Sequence, residues 1–235
     1  MALRHAKVCA FPVKPFQQYE PNPTMQQSDH NNLNQKNLGA SDIKVKTVCV
    51  YCGSSAKAAE IYRKTATRMG EVLTENNLKL VYGGGKSGLM GLVAEGVLST
   101  GGEVFGVIPH HIANREISHT GLTELHVVDT MHERKQMMVD LADAFVILPG
   151  GLGTLDEFFE IMTWRQLALH DKPIIVVNIE GYWSPLLVLV DRLVDQGFAR
   201  ESDRQMLQVV DTVEEVIDAL ATAPRENVDP QSKWI

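Results

Sequence analysis

Residues 144–169 constrain this chain more than any other stretch. A continuous apolar run at 144–148 passes into Pro149-Gly150-Gly151-Leu152-Gly153-Thr154-Leu155-Asp156-Glu157, and a helical pattern follows over 155–169. A buried strand, a glycine loop and a helix, in that order, make a cradle for an anion. Glycine lets the backbone approach a ligand closely. The first turn of the helix adds unpaired N–H groups and the positive end of its dipole. Thr154 is placed to cap that helix or to donate its hydroxyl to a phosphate oxygen. Glu157 is the odd member, because in the first turn its charge favours the helix but repels a bound phosphate. Two readings of it stay open. It works on a neutral part of the ligand, such as a ribose hydroxyl or a water, or it closes a capping box with Thr154 three residues earlier.

The same order recurs along the chain. Strands are expected at 45–51, 78–82, 102–108, 124–128, 144–148, 173–178 and 207–210, and helices at 58–76, 89–99, 131–142, 155–169, 183–196 and 213–221. The strands are short and almost continuously apolar, as in sheets covered on both faces. Strands alternating with helices imply right-handed parallel crossovers. The fold class is therefore α/β, a doubly wound parallel sheet in a three-layer α/β/α sandwich. Ligands in such sheets lie at the carboxyl ends of the strands. Here those ends carry the loops 52–55, 83–88, 109–120 and 149–154.

The chain has 235 residues, of which 44% are apolar, enough for one well-buried domain. No apolar run approaches the roughly 20 residues that span a bilayer. The apolar stretch 8–13 is short and contains Pro12, so it does not read as a signal peptide. A soluble cytoplasmic protein with no membrane partner is expected. Residues 17–37 hold ten Asn or Gln and two prolines, a composition that cannot bury enough apolar area to offset its ordering entropy. Residues 1–43 read as a disordered Asn/Gln-rich extension, 44–222 as the folded domain and 223–235 as a polar tail. The formal charge is −7, while residues 1–46 are net basic, so the folded body is strongly acidic. An acidic body argues against nucleic acid as a partner.

Three cysteines, Cys9, Cys49 and Cys52, fit a reducing compartment. Cys49 and Cys52 form a C-x-x-C, but Cys49 falls within an expected strand and no second ligand pair stands at zinc spacing. They read as buried strand cysteines. Gly85-Lys86-Ser87 lacks the glycine that a P-loop needs five residues earlier, where Leu80 stands. Gly83, Gly85 and Gly88 match a dinucleotide fingerprint formally, yet they follow the second strand, and no acidic residue closes the next one.

A second local anomaly accompanies Glu157. Asp129 or Thr130 is suited to cap the helix that opens Met131-His132-Glu133-Arg134-Lys135. Arg134 then falls in the first turn, where a cation opposes the helix dipole. Helix stability does not explain it, although a solvated arginine remains the plain alternative.

Together, Gly83-Gly84-Gly85…Gly88-Leu89-Met90-Gly91, Gly106-Val107-Ile108-Pro109, Met131–Lys135 and the complete P-G-G-x-G-T-x-x-E of Pro149 to Glu157 resemble the LOG ("Lonely guy") family, cytokinin riboside 5′-monophosphate phosphoribohydrolases. The resemblance runs from about Lys46 to Ala221 without large gaps. It implies a Rossmann-like fold and a homodimer or higher homo-oligomer, with active sites near the subunit interface. No cofactor or metal is implied. The implied substrate is a nucleoside 5′-monophosphate, AMP included, as in an AMP nucleosidase. By residue, it makes Arg134 and Glu157 the catalytic pair. It places substrate contacts on Glu116, Arg134, Lys135, Gly150, Gly151, Leu152, Gly153, Thr154, Leu155, Asp156, Glu157 and Thr163. His132 and Glu133 fill supporting positions.

The implied reaction is hydrolysis of the N-glycosidic bond, giving free purine and ribose 5-phosphate through an oxocarbenium-like transition state. Asp156 and Glu116 are candidates for protonating the base. Met137, Met138 and Trp164 are candidates for the base-pocket wall, or are simple core. An alternative is non-catalytic binding, as in the molybdenum-cofactor carrier proteins, which share the general fold. Sequences with this motif have also been labelled lysine decarboxylases. That chemistry needs a Schiff-base lysine with a partner for the pyridine nitrogen, and none of Lys86, Lys135 or Lys172 stands in a recognisable site of that kind.

Overall fold

The structure is a computed structural model and describes residues 45–113, 119 and 121–223. The expected extension at 1–43, Glu116, and the expected tail beyond residue 223 lie outside the described residues.

All seven expected strands form. In chain order the elements are β1 (Thr47–Tyr51), α1 (Glu60–Glu75), β2 (Lys79–Tyr82), α2 (Gly88–Ser99), β3 (Val104–Pro109), α3 (His110–Ala113), β4 (Glu124–Val128), α4 (Met131–Leu141), β5 (Ala144–Ile147), α5 (Leu152–Gln166), β6 (Ile174–Val177), α6 (Ser184–Asp195), α7 (Glu201–Arg204), β7 (Leu207–Val210) and α8 (Val216–Thr222). The runs with no polar residue, Ala-Phe-Val-Ile and Ile-Ile-Val-Val, become β5 and β6, which are buried at every position. The mixed sequences of β4 and β7 take the two edges, where one side of the backbone faces solvent.

The sheet is parallel throughout, in the order β4-β3-β2-β1-β5-β6-β7. The chain winds outward from β1 to β4, then returns through α4 to place β5 against the other side of β1. Val50 pairs with Val146 and Tyr51 with Ile147, so β1 and β5 end level with each other. The loops leaving these two strands diverge in opposite directions, which opens a crevice at the switch point of the winding.

Alternation along the strands divides the interior into two layers. Val48, Val50, Leu80 and Val146 pack against Met69 and Leu73 of α1, Val93 and Val97 of α2, and Val216 of α8. Cys49, Tyr51, Phe145 and Ile147 pack against Met138 of α4, Phe158 and Ile161 of α5, and Leu186 of α6. Cys49 and Cys52 are free, buried and divided between the two layers. Burial pushes both thiols up, the opposite of what a thiolate nucleophile or metal ligand requires. The buried strand-cysteine reading stands for Cys49, whereas Cys52 is buried but lies one residue beyond β1, in the lining of the cleft at the strand ends.

Candidate active site

A cavity of about 320 Å³ occupies the crevice between the ends of β1 and β5, within the range of small-molecule pockets. The loop after β1 contributes Gly53, Ser54 and Ser55, and the turn after β2 contributes Gly83. Gly151, Leu152, Gly153, Thr154 and Glu157 come from α5 and its approach, Arg134 from α4, and Met90 and Ile112 from α2 and α3.

The start of α5 corrects two expectations. The helix begins at Leu152, three residues earlier than the glycines suggest, with Gly151 as its N-cap in extended geometry. Gly153 lies in the first turn, where the backbone amides have no intrahelical acceptor in any case. Thr154 is consequently inside the helix and does not cap it. Glu157 falls in the second turn, so the Thr154–Glu157 capping box does not form. No side chain caps the helix, and the N–H groups of Leu152, Gly153 and Thr154 are the free donors of its first turn. Gly150 lies immediately behind them, and a Cβ there would overlap Thr154 Oγ1. The close seating of the threonine on the loop thus depends on that glycine.

A capping box does form at α4. The Glu133 N–H donates to Thr130 Oγ1 at 3.1 Å, and the Thr130 and Asp129 N–H groups donate to Glu133 Oε2 at 3.1 and 2.9 Å. Thr130 is the cap, and Glu133 has a structural task. This fixes the helix start and aims the next residue, Arg134, inward. Its Nε donates to the Val107 carbonyl of β3 at 3.2 Å, and Nη1 donates to Glu157 Oε1 at 2.9 Å. A Cβ at Gly83 would overlap Nη2. Arg134 is 6% exposed and Glu157 5%, so the solvated-arginine alternative is overturned. The carbonyl and carboxylate supply the negative partners that the first turn of α4 does not.

Burial pushes the Glu157 carboxyl above the usual carboxylate range, and the Arg134 guanidinium works against that shift. Beneath the pair, Tyr51 is stacked on Phe145 with ring centroids 6.0 Å apart, and burial raises its hydroxyl as well. The wall thus joins a desolvated carboxylate to a fixed cation, one turn along α5 from a set of free amides.

The other expected site residues lie elsewhere. Lys135 points to the outer side of α4 and α5, with Nζ 2.9 Å from Glu160 and 3.3 Å from Asp156. Burial works to lower this lysine, but the two carboxylates outweigh it and hold it above its ordinary value. Leu155, Asp156 and Thr163 border a shallow groove on the outside of α5, where the Thr163 hydroxyl donates to the Phe159 carbonyl at 2.7 Å. Asp156 therefore does not reach the cavity within one chain. Met138 is fully buried core, whereas Met137 and Trp164 line an outer groove with His132 and Glu133. Glu116 lies outside the described residues.

Ser54, Ser55, Met90 and Ile112 line the cavity without having been singled out as ligand contacts. The strand-end loops 52–55 and 109–120 pointed to Ser54, Ser55 and Ile112 by position alone, and Met90 stood only within a family motif. Neither Lys86, Lys135 nor Lys172 lines the cavity, and Lys172 Nζ donates to the Val139 carbonyl at 2.7 Å. A Schiff-base lysine is therefore absent from its wall. Among the described residues no group of three or more His, Cys, Asp and Glu is placed to hold a metal, and no helix is long and apolar enough to cross a membrane.

A parallel doubly wound sheet, with free helix amides and a buried Arg–Glu pair at its switch point, defines a Rossmann-like α/β protein with a cleft at the carboxyl ends of its strands. Residues 90–220 match a family model described as "Possible lysine decarboxylase". The chain is 42% identical over 193 residues to the cytokinin riboside 5′-monophosphate phosphoribohydrolase LOG1 of Arabidopsis thaliana, covering 81% of this chain and 91% of that protein. It is 44% identical over 176 residues to the cytokinin riboside 5′-monophosphate phosphoribohydrolase of Rhodococcoides fascians, covering 74% of this chain and 89% of that protein. It belongs to the LOG family. Among solved structures, the molybdenum cofactor carrier protein of Chlamydomonas reinhardtii is similar over 76% of this chain and 97% of its own, with a TM-score of 0.59 and 19% identity, a likeness of fold.

Proposed function

We propose that this protein hydrolyses the N-glycosidic bond of a purine riboside 5′-monophosphate, a cytokinin nucleotide or AMP, to the free base and ribose 5-phosphate. The observation that carries the reading is the Arg134–Glu157 pair, largely buried in the cavity wall beside the free amides that open α5. Those amides, at Leu152, Gly153 and Thr154, take the 5′-phosphate with Gly150 and Gly151. Anchoring the remote end of the substrate turns binding energy into orientation of the sugar. The C1′–N bond then breaks as positive charge develops on the ribose. Water supplies a hydroxyl to C1′ and a proton to the departing purine. Glu157 stabilises the developing charge or takes the proton from that water. Arg134 fixes the carboxylate through its fork of donors.

Met90 and Ile112 add apolar surface to the lining of the cleft. Leu155, Asp156 and Thr163 lie on the outer side of α5, where Lys135 of α4 pairs with Asp156, and that surface also carries Phe159 and Leu152, the latter 86% exposed. Exposed residues of this kind beside an outer groove support a homodimer or larger homo-oligomer in which the outer set borders a neighbour's site. Residues 44–222 form the catalytic domain in this reading, working in the cytoplasm without cofactor, membrane or nucleic acid.

Incubating the purified protein with AMP and with N6-prenylated AMP, and separating free base by chromatography, tests the activity. Release of base from either substrate is expected. Tight nucleotide binding without any release would favour a carrier.

A further inference from the structure

The loop that opens α5 is strapped from outside by a residue that neither the motifs nor the mechanism above uses. After β6 the chain enters a single 3-10 turn, Ile179–Gly181, in which Glu180 (φ 52°) and Gly181 (φ 67°) are both left-handed. A non-glycine residue stays in that region only where its surroundings hold it. Asn178 supplies the hold. Its Oδ1 accepts from the Trp183 N–H at 2.8 Å, and its Nδ2 donates to Ser184 Oγ at 3.2 Å. The turn delivers Tyr182, whose ring stands edge-on to Tyr62 of α1 and to Trp183, with centroids 5.3 and 4.8 Å away. Its hydroxyl donates to the Gly150 carbonyl at 2.6 Å.

This bond completes a series. Three consecutive loop carbonyls each have a donor: Pro149 from the Gly53 N–H at 3.0 Å, Gly150 from Tyr182, and Gly151 from the Leu155 N–H at 3.0 Å. Tyr182 is the one side chain among those donors. A trans peptide is planar, so its C=O and N–H point in opposite directions. Holding the Gly150 carbonyl against Tyr182 therefore turns the Gly151 N–H away from Tyr182. Gly151 lines the cavity and Tyr182 does not. Glycine on both sides of that peptide gives it little preference of its own between this orientation and the reverse. Reversed, it would present a carbonyl oxygen to the anion.

We propose that Tyr182 is a positioning residue for the phosphate subsite, locking the Gly150–Gly151 peptide with its N–H toward the ligand. The identity of that ligand rests on the phosphoribohydrolase reading. Tyr182 is 37% exposed, and its ring contacts do not involve the hydroxyl, so Tyr182→Phe removes the strap and spares the packing.

The test compares wild type and Tyr182→Phe in calorimetric binding of ribose 5-phosphate, inhibition by free adenine, Tm, and amide exchange at residues 151–153. The expected result is a Kd for ribose 5-phosphate weakened roughly 3- to 10-fold, the net worth of one hydrogen bond. Exchange at the loop quickens, the KM for AMP rises more than kcat falls, and adenine inhibition and Tm stay unchanged. Equal Kd values for the two proteins overturn the proposal. So does a loss shared by adenine and accompanied by a lower Tm, which would make Tyr182 a packing residue only. Wild type that binds ribose 5-phosphate but releases no base from AMP sinks the hydrolase reading, and the binding comparison still decides the role of Tyr182. Wild type that does not bind ribose 5-phosphate overturns both.

Discussion

Arg134 Nη1 donates to Glu157 Oε1 at 2.9 Å, joining the first turn of α4 to the second turn of α5 at a wall almost closed to water. The carboxylate is held by one partner that is itself held, since Arg134 Nε is spent on the Val107 carbonyl. Glutamine at position 157 keeps the shape and the hydrogen-bond acceptor but loses the charge. Glu157→Gln is expected to lower turnover at least roughly 100-fold with the fold intact, the low end of carboxylate acid–base effects. Near-normal base release by that variant would remove the catalytic role.

The same burial sets the pH response. With its carboxyl held above the usual range, Glu157 takes up a proton at a higher pH than an exposed glutamate does. If the ionised form is the active one, kcat/KM falls on the acid side with an apparent pKa above the ordinary carboxylate value of about 4.3. A profile flat down to the pH at which the protein unfolds would exclude ionised Glu157 as the working form.

Stability measurements separate the pair's structural share. Removing one member of a buried ion pair strands the other's charge, at a cost of about 3–5 kcal/mol, whereas replacing both by apolar groups of similar volume is often near neutral. Arg134→Ala is therefore expected to be less stable to urea than the double variant Arg134→Met/Glu157→Leu, although neither turns over substrate. Equal midpoints for the two would mean that water already reaches the pair.

Much of this arrangement was legible in the sequence, and each part that was not has its own physical cause. The strands were readable because buried parallel strands are unbroken apolar runs, and Arg134 because a cation in a first turn contradicts local helix preference. The start of α5 was misread because glycine ordinarily punctuates. Here Gly151 is the cap itself, and Gly153 occupies a turn whose amides lack partners anyway. Lys135 follows Arg134 directly, yet one residue along a helix turns the side chain by about 100°, which separates a cavity residue from an outer ion pair. The short helix α7 was invisible because it is held by a tertiary contact. Asp203 accepts from the Arg200 N–H at 2.8 Å and from Gln166 Nε2 at 2.7 Å, and no local pattern encodes the second of these.

Gly83 is expected to govern catalysis without touching substrate chemistry. Its backbone is not left-handed, so alanine fits the turn, but the added Cβ would collide with the Arg134 guanidinium. Gly83→Ala should displace that group and lower kcat/KM roughly 10- to 100-fold, the range expected when a positioned catalytic group moves by about an ångström. Activity within twofold of wild type would show that the guanidinium has room to shift without consequence.

His170 provides a prediction about folding that is independent of the cleft. Its Nε2 lies 2.9 Å from the Ile161 carbonyl, and its Nδ1 accepts from the Lys172 N–H at 3.1 Å. The ring must therefore be neutral, with the proton on Nε2. Burial is the main cause that lowers its pKa, from 6.5 to about 4. Between those two values the unfolded chain binds a proton that the native protein refuses, so stability falls as pH drops through this window and the loss levels off below it. The slope from this single group is at most about 1.4 kcal/mol per pH unit, and less where solvent reaches the half-buried ring. Urea midpoints measured from pH 7.5 to pH 4 should decline more steeply for wild type than for His170→Gln, whose side chain has no proton to gain. Parallel declines would place the acid sensitivity elsewhere, among the carboxylates of the paired surface.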